Sequence, residues 1–275
     1  MRHIHHWMER ALAIRPVDAQ DRRPMVRLVN DLLDGVDIPP STVERKLAGI
    51  GWSADGPFLI VRLVLIDSRT ADMGLRVPML RSNVQMAFPG ALVMERDDAV
   101  FVLFRVEQSE GWVTKTYDAL KRMGRAVGCH CIAGNPFPSL PHIRTQLEQT
   151  QLAVPSVERQ RDPRIISLAD VFDQVVAREL LMHHPLADIC HPVVAELAED
   201  ERGYGLDQLI CLMTYLENER SATITSRLLY THKNTVHYRM GKIEKMLGKK
   251  LADLNPSERL YLLLSCKMSL HELGK

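Results

Sequence analysis

The residues of this chain best suited to chemistry lie close together near its C-terminal end. Asn234, Thr235, Tyr238, Gly241, Lys242 and Lys245 share one side of the segment 234–247 when positions are turned by about 100° per residue. Val236, Met240, Ile243 and Leu247 form an apolar stripe on the other side. Asn and Thr both donate and accept hydrogen bonds, and Lys carries a mobile charge, a set that suits base edges and phosphates of DNA. The expectation is that Asn234, Thr235, His237 and Tyr238 read bases while Lys233, Arg239 and Lys242 hold phosphates. Arg239 falls at the flank, where phosphate is the nearer partner. His232 heads the segment within the same interface, and Thr225 and Ser226, upstream, are expected to add phosphate contacts.

Two short helices must position these groups. The spacing predicts one over 222–229 and a second over 234–247, separated by Tyr230-Thr231-His232. That is the spacing of a helix-turn-helix whose second helix enters the major groove. Net charge over the whole chain is only +1, so any charge that attracts DNA has to be local. It is local: from Arg220 to Lys250 there are eight Lys or Arg against one acid, Glu244. The same spacing also describes a helical hairpin with a solvated basic face, or a module that binds protein. One recognition helix reads few base pairs, so a homodimer on a palindromic duplex site is expected.

The residues go beyond generic spacing. The run His232-Lys233-Asn234-Thr235-Val236-His237-Tyr238-Arg239-Met240-Gly241-Lys242-Ile243-Glu244-Lys245-Met246-Leu247-Gly248 resembles the hallmark H-R-N-T-L-x-Y-R-L-x-x-I-E-x-L-L-G of the PucR/CdaR family of bacterial regulators. Lys233, Val236 and Met246 stand where that run has Arg, Leu and Leu. The stretches 191–205, 207–221 and 258–268 resemble the helices around the motif, so the likeness covers roughly 190–270. It implies a transcriptional regulator that answers a small-molecule effector and controls a catabolic operon. Many members carry a further N-terminal sensor domain; with no room for one here, the chain is expected to be a short member or to begin inside a longer protein.

The region before it resembles, by strand order, the degenerate GGDEF-like domain that precedes the DNA-binding domain in many members. Aligned on Phe101 and its strand, Asp97-Asp98-Ala99-Val100-Phe101 take the signature positions. The glycines are gone and Ala99 stands where a metal-binding acid belongs; Asp67, at the end of the first strand, would be a lone carboxylate. A nucleotide-binding or cyclase-like enzyme is the alternative reading, and the missing acid argues against it. Dimerisation or ligand sensing is the expected role, with no catalytic residue and no cofactor.

The remaining pattern supports an α+β fold: a GGDEF-like α/β sandwich with a mostly antiparallel sheet, then an all-α domain. Helical spacing is read over 25–33, 42–50, 79–88, 113–127 and 140–152, with strands at 58–67, 129–134 and as a hairpin within 91–104. The expected boundaries are a lead-in at 1–24, the α+β domain at 25–154, a linker at 155–166 on two prolines, and the all-α domain at 167–275, its helix-turn-helix portion at about 207–270. Apolar residues make up 46%, enough for full cores, yet the longest apolar run, Phe58–Ile66, is broken by Arg62 and is too short to span a bilayer. Five cysteines without framework spacing fit a reducing cytoplasm. His3, His5 and His6, Cys129-His130-Cys131, His183-His184 and Cys190-His191 offer no tetrahedral set, so no metal site is expected. No P-loop, G-x-G-x-x-G or G-x-S-x-G occurs.

Overall fold

A computed structural model of the chain describes residues 19–53, 56–66, 73–96, 99–106, 112–200 and 204–273. His3, His5, His6, Asp67, Asp97 and Asp98 lie outside the described residues. The chain divides into two compact units, Met1–Val171 and Phe172–Lys275.

The first unit is α+β. Its elements run α1 (Ala19–Leu33), α2 (Pro40–Gly49), β1 (Phe58–Leu65), α3 (Met73–Ala87), β2 (Leu92–Arg96), β3 (Ala99–Arg105), α4 (Trp112–Val127), β4 (Cys129–Ala133), α5 (Ile143–Ala153) and β5 (Ile165–Ser167). The strands form one sheet in the order β2-β3-β1-β4-β5, antiparallel except for the β4–β5 pair. Strand period decides which face each side chain serves. Phe58, Ile60, Leu92, Met94, Phe101 and Leu103 point into a core with α1, α2 and α5. Val61, Leu63, Leu65, Val93, Val100, Val102 and Phe104 point the other way, against α3 and α4. Arg62, the charge that interrupts the apolar run of β1, is accommodated because its Nε donates to Thr150 Oγ1 at 3.2 Å and its guanidinium lies 4.6 Å from the Phe101 ring centroid.

Three expected boundaries are corrected. The helix expected from Met25 begins at Ala19, with Pro24 inside it, and the helix expected over 79–88 begins at Met73. The segment 155–166 is not a free linker. Val157 is 1% exposed, and β5 at its end pairs parallel with β4, Cys131 opposite Ile165 and Ala133 opposite Ser167. Three residues are too few to show a period in sequence, and their pairing depends on β4, more than thirty positions away. His130 pins the same segment: its Nδ1 accepts from the Arg164 N–H and its Nε2 donates to Gln160 O, both at 3.2 Å. Cys129 and Cys131 face the α3–α4 core, and all five cysteines are buried free thiols.

The second unit is all-α: the rest of α6 (Leu168–His183), then α7 (Leu186–Ile189), α8 (Pro192–Ala198), α9 (Tyr204–Glu217), α10 (Ala222–Leu228), α11 (Lys233–Leu247) and α12 (Pro256–Glu272). Its core joins Val194 and Leu197 of α8, Leu209 and Leu212 of α9, Val236, Met240 and Ile243 of α11, and Leu262, Cys266 and Leu270 of α12. Lys267, 11% exposed, ties α12 to Asp173 of α6 at 2.5 Å and to Glu217 of α9. Burial works against its charge, but the two carboxylates outweigh that and raise its pKa. His191 caps α8, its Nδ1 accepting from the Val193 N–H at 3.2 Å.

His130 and His191 carry a testable pH dependence. Both accept a backbone N–H on Nδ1, and burial lowers both pKa values below the ordinary 6.5. Once unfolded, these imidazoles protonate at the ordinary value, whereas the folded chain takes up the protons only at lower pH. Stability is therefore fully present above about pH 6.5 and is lost as pH falls toward the folded-state values. Urea titrations at stepwise lower pH should show this decline, and His191→Asn, which can still cap, should flatten the second unit's share. A wild-type curve flat down to about pH 5 would exclude the coupling.

Candidate nucleic-acid interface

The α10–turn–α11 segment is built by caps and one strained residue. Ser221 caps α10, its hydroxyl accepting from the Ile224 N–H at 3.3 Å. The chain then reverses through Tyr230, whose φ of 49° lies in the left-handed region, at a cost of roughly 1–2 kcal/mol for a residue with a Cβ. His232 caps α11, its Nδ1 accepting from the Asn234 N–H at 3.2 Å. Gly248, at φ 65°, ends the helix in the left-handed C-terminal cap that glycine adopts without strain.

The expected apolar stripe is the packed one. Val236 and Ile243 are 0% exposed, Met240 is buried and Leu247 half-buried. The other side faces solvent: Lys233, Asn234, His237, Tyr238, Lys242 and Lys245 are exposed, and Thr235 is half-buried. Lys242 Nζ lies 4.8 Å from the Tyr238 ring centroid, so the two side chains form a joined cationic and aromatic surface. A Cβ placed on Gly241 would meet nothing within 4 Å, so no packing within the protein requires glycine there.

Three of the residues expected to hold phosphates have their polar groups engaged within the protein. Thr225 is 0% exposed and its hydroxyl donates to Ser221 O at 2.9 Å, which removes it from any phosphate. Ser226 is half-buried and its hydroxyl donates to Thr223 O at 2.9 Å. Arg239 is turned to α9, Nη2 reaching Asp207 Oδ2 at 2.9 Å and Nη1 the Asp207 carbonyl at 3.4 Å, so it braces two helices. Three further cations in the basic stretch are similarly engaged. Arg220 donates to the carbonyls of Leu251 and Ala252, Lys249 pairs with Glu258 at 2.8 Å, and Lys250 pairs with Glu244 at 2.9 Å. Arg227, Lys233, Lys242 and Lys245 are exposed and, among the described residues, have no carboxylate partner. The solvent-facing positive charge is thus narrower than the sequence count suggests, and it is concentrated along α11.

Tyr230 is the residue that the sequence reading passed over. It is 98% exposed at the strained turn between the helices. The only signal in sequence was an aromatic residue at a turn position where packing cannot use it.

The model of the PucR C-terminal helix-turn-helix domain matches residues 208–268, which take in most of α9, all of α10 and α11, and most of α12. The second unit carries a PucR-type helix-turn-helix. A model described as a GGDEF-like domain matches residues 34–154 of the first unit. Ala99, at the position where the resemblance calls for a metal-binding acid, opens β3 opposite Arg96 and packs against the α1–α2–α5 core. Over 91 residues the chain is 38% identical to the purine catabolism regulatory protein of Bacillus subtilis (strain 168). That alignment spans 31% of this chain and only 17% of the relative's length. A solved structure of a regulator of polyketide synthase expression from Bifidobacterium adolescentis is similar over 90% of this chain and 99% of its own, with 16% identity and a TM-score of 0.29. Among the described residues no helix is long and apolar enough to cross a membrane, and no group of three or more His, Cys, Asp or Glu could hold a metal ion.

Proposed function

We propose that this chain is a sequence-specific DNA-binding regulator of transcription. The observation that carries the reading is the solvent face of α11: exposed amide, imidazole, phenol and ammonium groups on one side of a PucR-type helix-turn-helix whose other side packs through Val236, Met240 and Ile243. In this reading Asn234, Thr235, His237 and Tyr238 meet base edges, while Lys233, Lys242, Lys245 and Arg227 lie against phosphates. Tyr230 adds a backbone contact from the turn. His232 acts by capping α11 and so aims the Asn234 end of the helix. Two copies bind as a homodimer on a palindromic site, because one helix covers too few base pairs for selectivity. The first unit, a GGDEF-like domain, contributes dimerisation or effector sensing. Control of a catabolic operon, as the name of the Bacillus relative suggests, is the expected biological setting.

The experiment is fluorescence anisotropy with duplexes from upstream of the chain's own gene and its neighbours, against scrambled duplexes. Wild type should prefer one duplex, and Asn234→Ala should lower that preference about ten- to a hundredfold, the worth of a bidentate amide contact. Equal binding to all duplexes by wild type, or unchanged selectivity in Asn234→Ala, would refute the assignment of α11 as the reader.

A further inference from the structure

Within the first unit, a cleft of about 290 Å³ opens beside β2 and is lined by Arg23, Val26, Arg27 and Asn30 of α1, Arg81 and Gln85 of α3, and Leu92 and Val93 of β2. We propose that this cleft binds a small dianionic metabolite, a phosphate monoester or a dicarboxylate. Four observations lead there. First, the lining holds three arginines and no acid. Arg23 and Arg27 stand one turn apart on one helix face, where like charges repel, and none of the three has an ion pair among the described residues. Guanidinium groups so placed offer a fork that fits carboxylate or phosphate oxygens two at a time.

Second, two polar atoms of lining residues are buried without a partner among the described residues: Asn30 Oδ1, an acceptor, and Gln85 Nε2, a donor. Buried polar groups normally find partners, and leaving one unmade costs about 1–3 kcal/mol. An anionic oxygen would accept from Gln85 Nε2, and a ligand that also carries a hydroxyl would donate to Asn30 Oδ1. Third, β2 is the edge strand, so its outward main-chain groups have no neighbouring strand among the described residues. Leu92 and Val93, whose side chains turn to opposite faces of the sheet, border the cleft at the end of β2 away from the β2–β3 turn. Fourth, the volume is at the small end of the range for ligand pockets, which suits a metabolite and not a macromolecule.

Binding in this cleft stands on the first unit alone; only its role as an effector site rests on the regulatory reading above. The test is isothermal titration of the full chain with inorganic phosphate, a 5′-nucleoside monophosphate and succinate, at constant ionic strength, with the matching neutral nucleoside as control. At least one anion should bind with Kd below about 1 mM. Arg27→Ala and Arg81→Ala, both at exposed positions that leave the core intact, should each weaken it by roughly tenfold or more, and Arg81→Lys by less. A nucleotide response identifies a phosphate ligand, and a succinate response a dicarboxylate. Absence of binding by all three anions, or equal binding by wild type and both alanine variants with unchanged circular dichroism, would overturn the site. DNA binding is read separately on the second unit's variants, so a failed titration leaves that reading intact.

Discussion

Gly205→Ala is expected to unfold the second unit and with it all selective DNA binding, although residue 205 belongs to neither α11 nor the turn before it. A Cβ built on Gly205 would sit 1.9 Å from Leu197 O, 2.8 Å from Asp200 Cβ and 3.0 Å from Leu197 C. Two of these atoms are main chain at the end of α8 and the third belongs to a residue just after it, and backbone oxygen cannot swing aside as a side-chain tip can. Accommodating the methyl would force α8 and α9 apart. Leu209, Cys211 and Leu212 of α9, each 0% exposed, belong to the same core as Val236 and Ile243, so the displacement reaches α11 directly. Overpacking against main chain in a close-packed core places the cost at about 3 kcal/mol or more. Calorimetry of the variant should show the second unit's transition lost or greatly lowered while that of the first unit persists. A melting temperature within about a degree of wild type would mean that the α8–α9 approach is not the constraint described.

The second large effect is expected in the salt dependence of DNA binding. Each phosphate neutralised by a cation contributes about 0.9 to the slope of log K against log salt. If Arg227, Lys233, Lys242 and Lys245 each neutralise one phosphate, they add about 3.6 per protomer. Between 50 and 200 mM salt that corresponds to roughly a hundredfold change in affinity. Alanine at all four should remove it. Arg239→Ala should behave differently, because its guanidinium is already satisfied by Asp207. Its loss should lower affinity at every salt concentration with no change in slope, and Asp207→Ala should reproduce the effect. Lys249→Ala and Lys250→Ala, whose charges are held by Glu258 and Glu244, should likewise leave the slope unchanged. A slope that falls equally for paired and unpaired cations would mean that these ion pairs open on DNA and that their partners do not decide which cations contact it.

These contrasts mark where the sequence was sufficient. The stripe Val236, Met240 and Ile243 was legible because a helix imposes its period on any face that must be buried. The central strand was legible as a run that is apolar on both faces, and Phe58 and Ile60 indeed serve one core while Val61, Leu63 and Leu65 serve the other. The helix-turn-helix region was legible through a long run of residues and the GGDEF-like region through its strand order, and family models match them over 208–268 and 34–154.

Periodicity, element type and the stretch that carries the candidate interface were therefore local properties of the residues. The tertiary structure decided which groups in that stretch face solvent and which are engaged within the protein. Thr225 and Arg239 have the right chemistry by type, but one hydroxyl is buried against its own helix and one guanidinium meets Asp207, 32 positions away. In the same way β5 exists only because β4 is there to pair with it, and the three-arginine cleft only because α1 and α3, distant in sequence, both border the edge strand. A side chain's type is local information. Its partner is set by which distant residues the fold brings within about 3 Å, the range over which a hydrogen bond or ion pair is made.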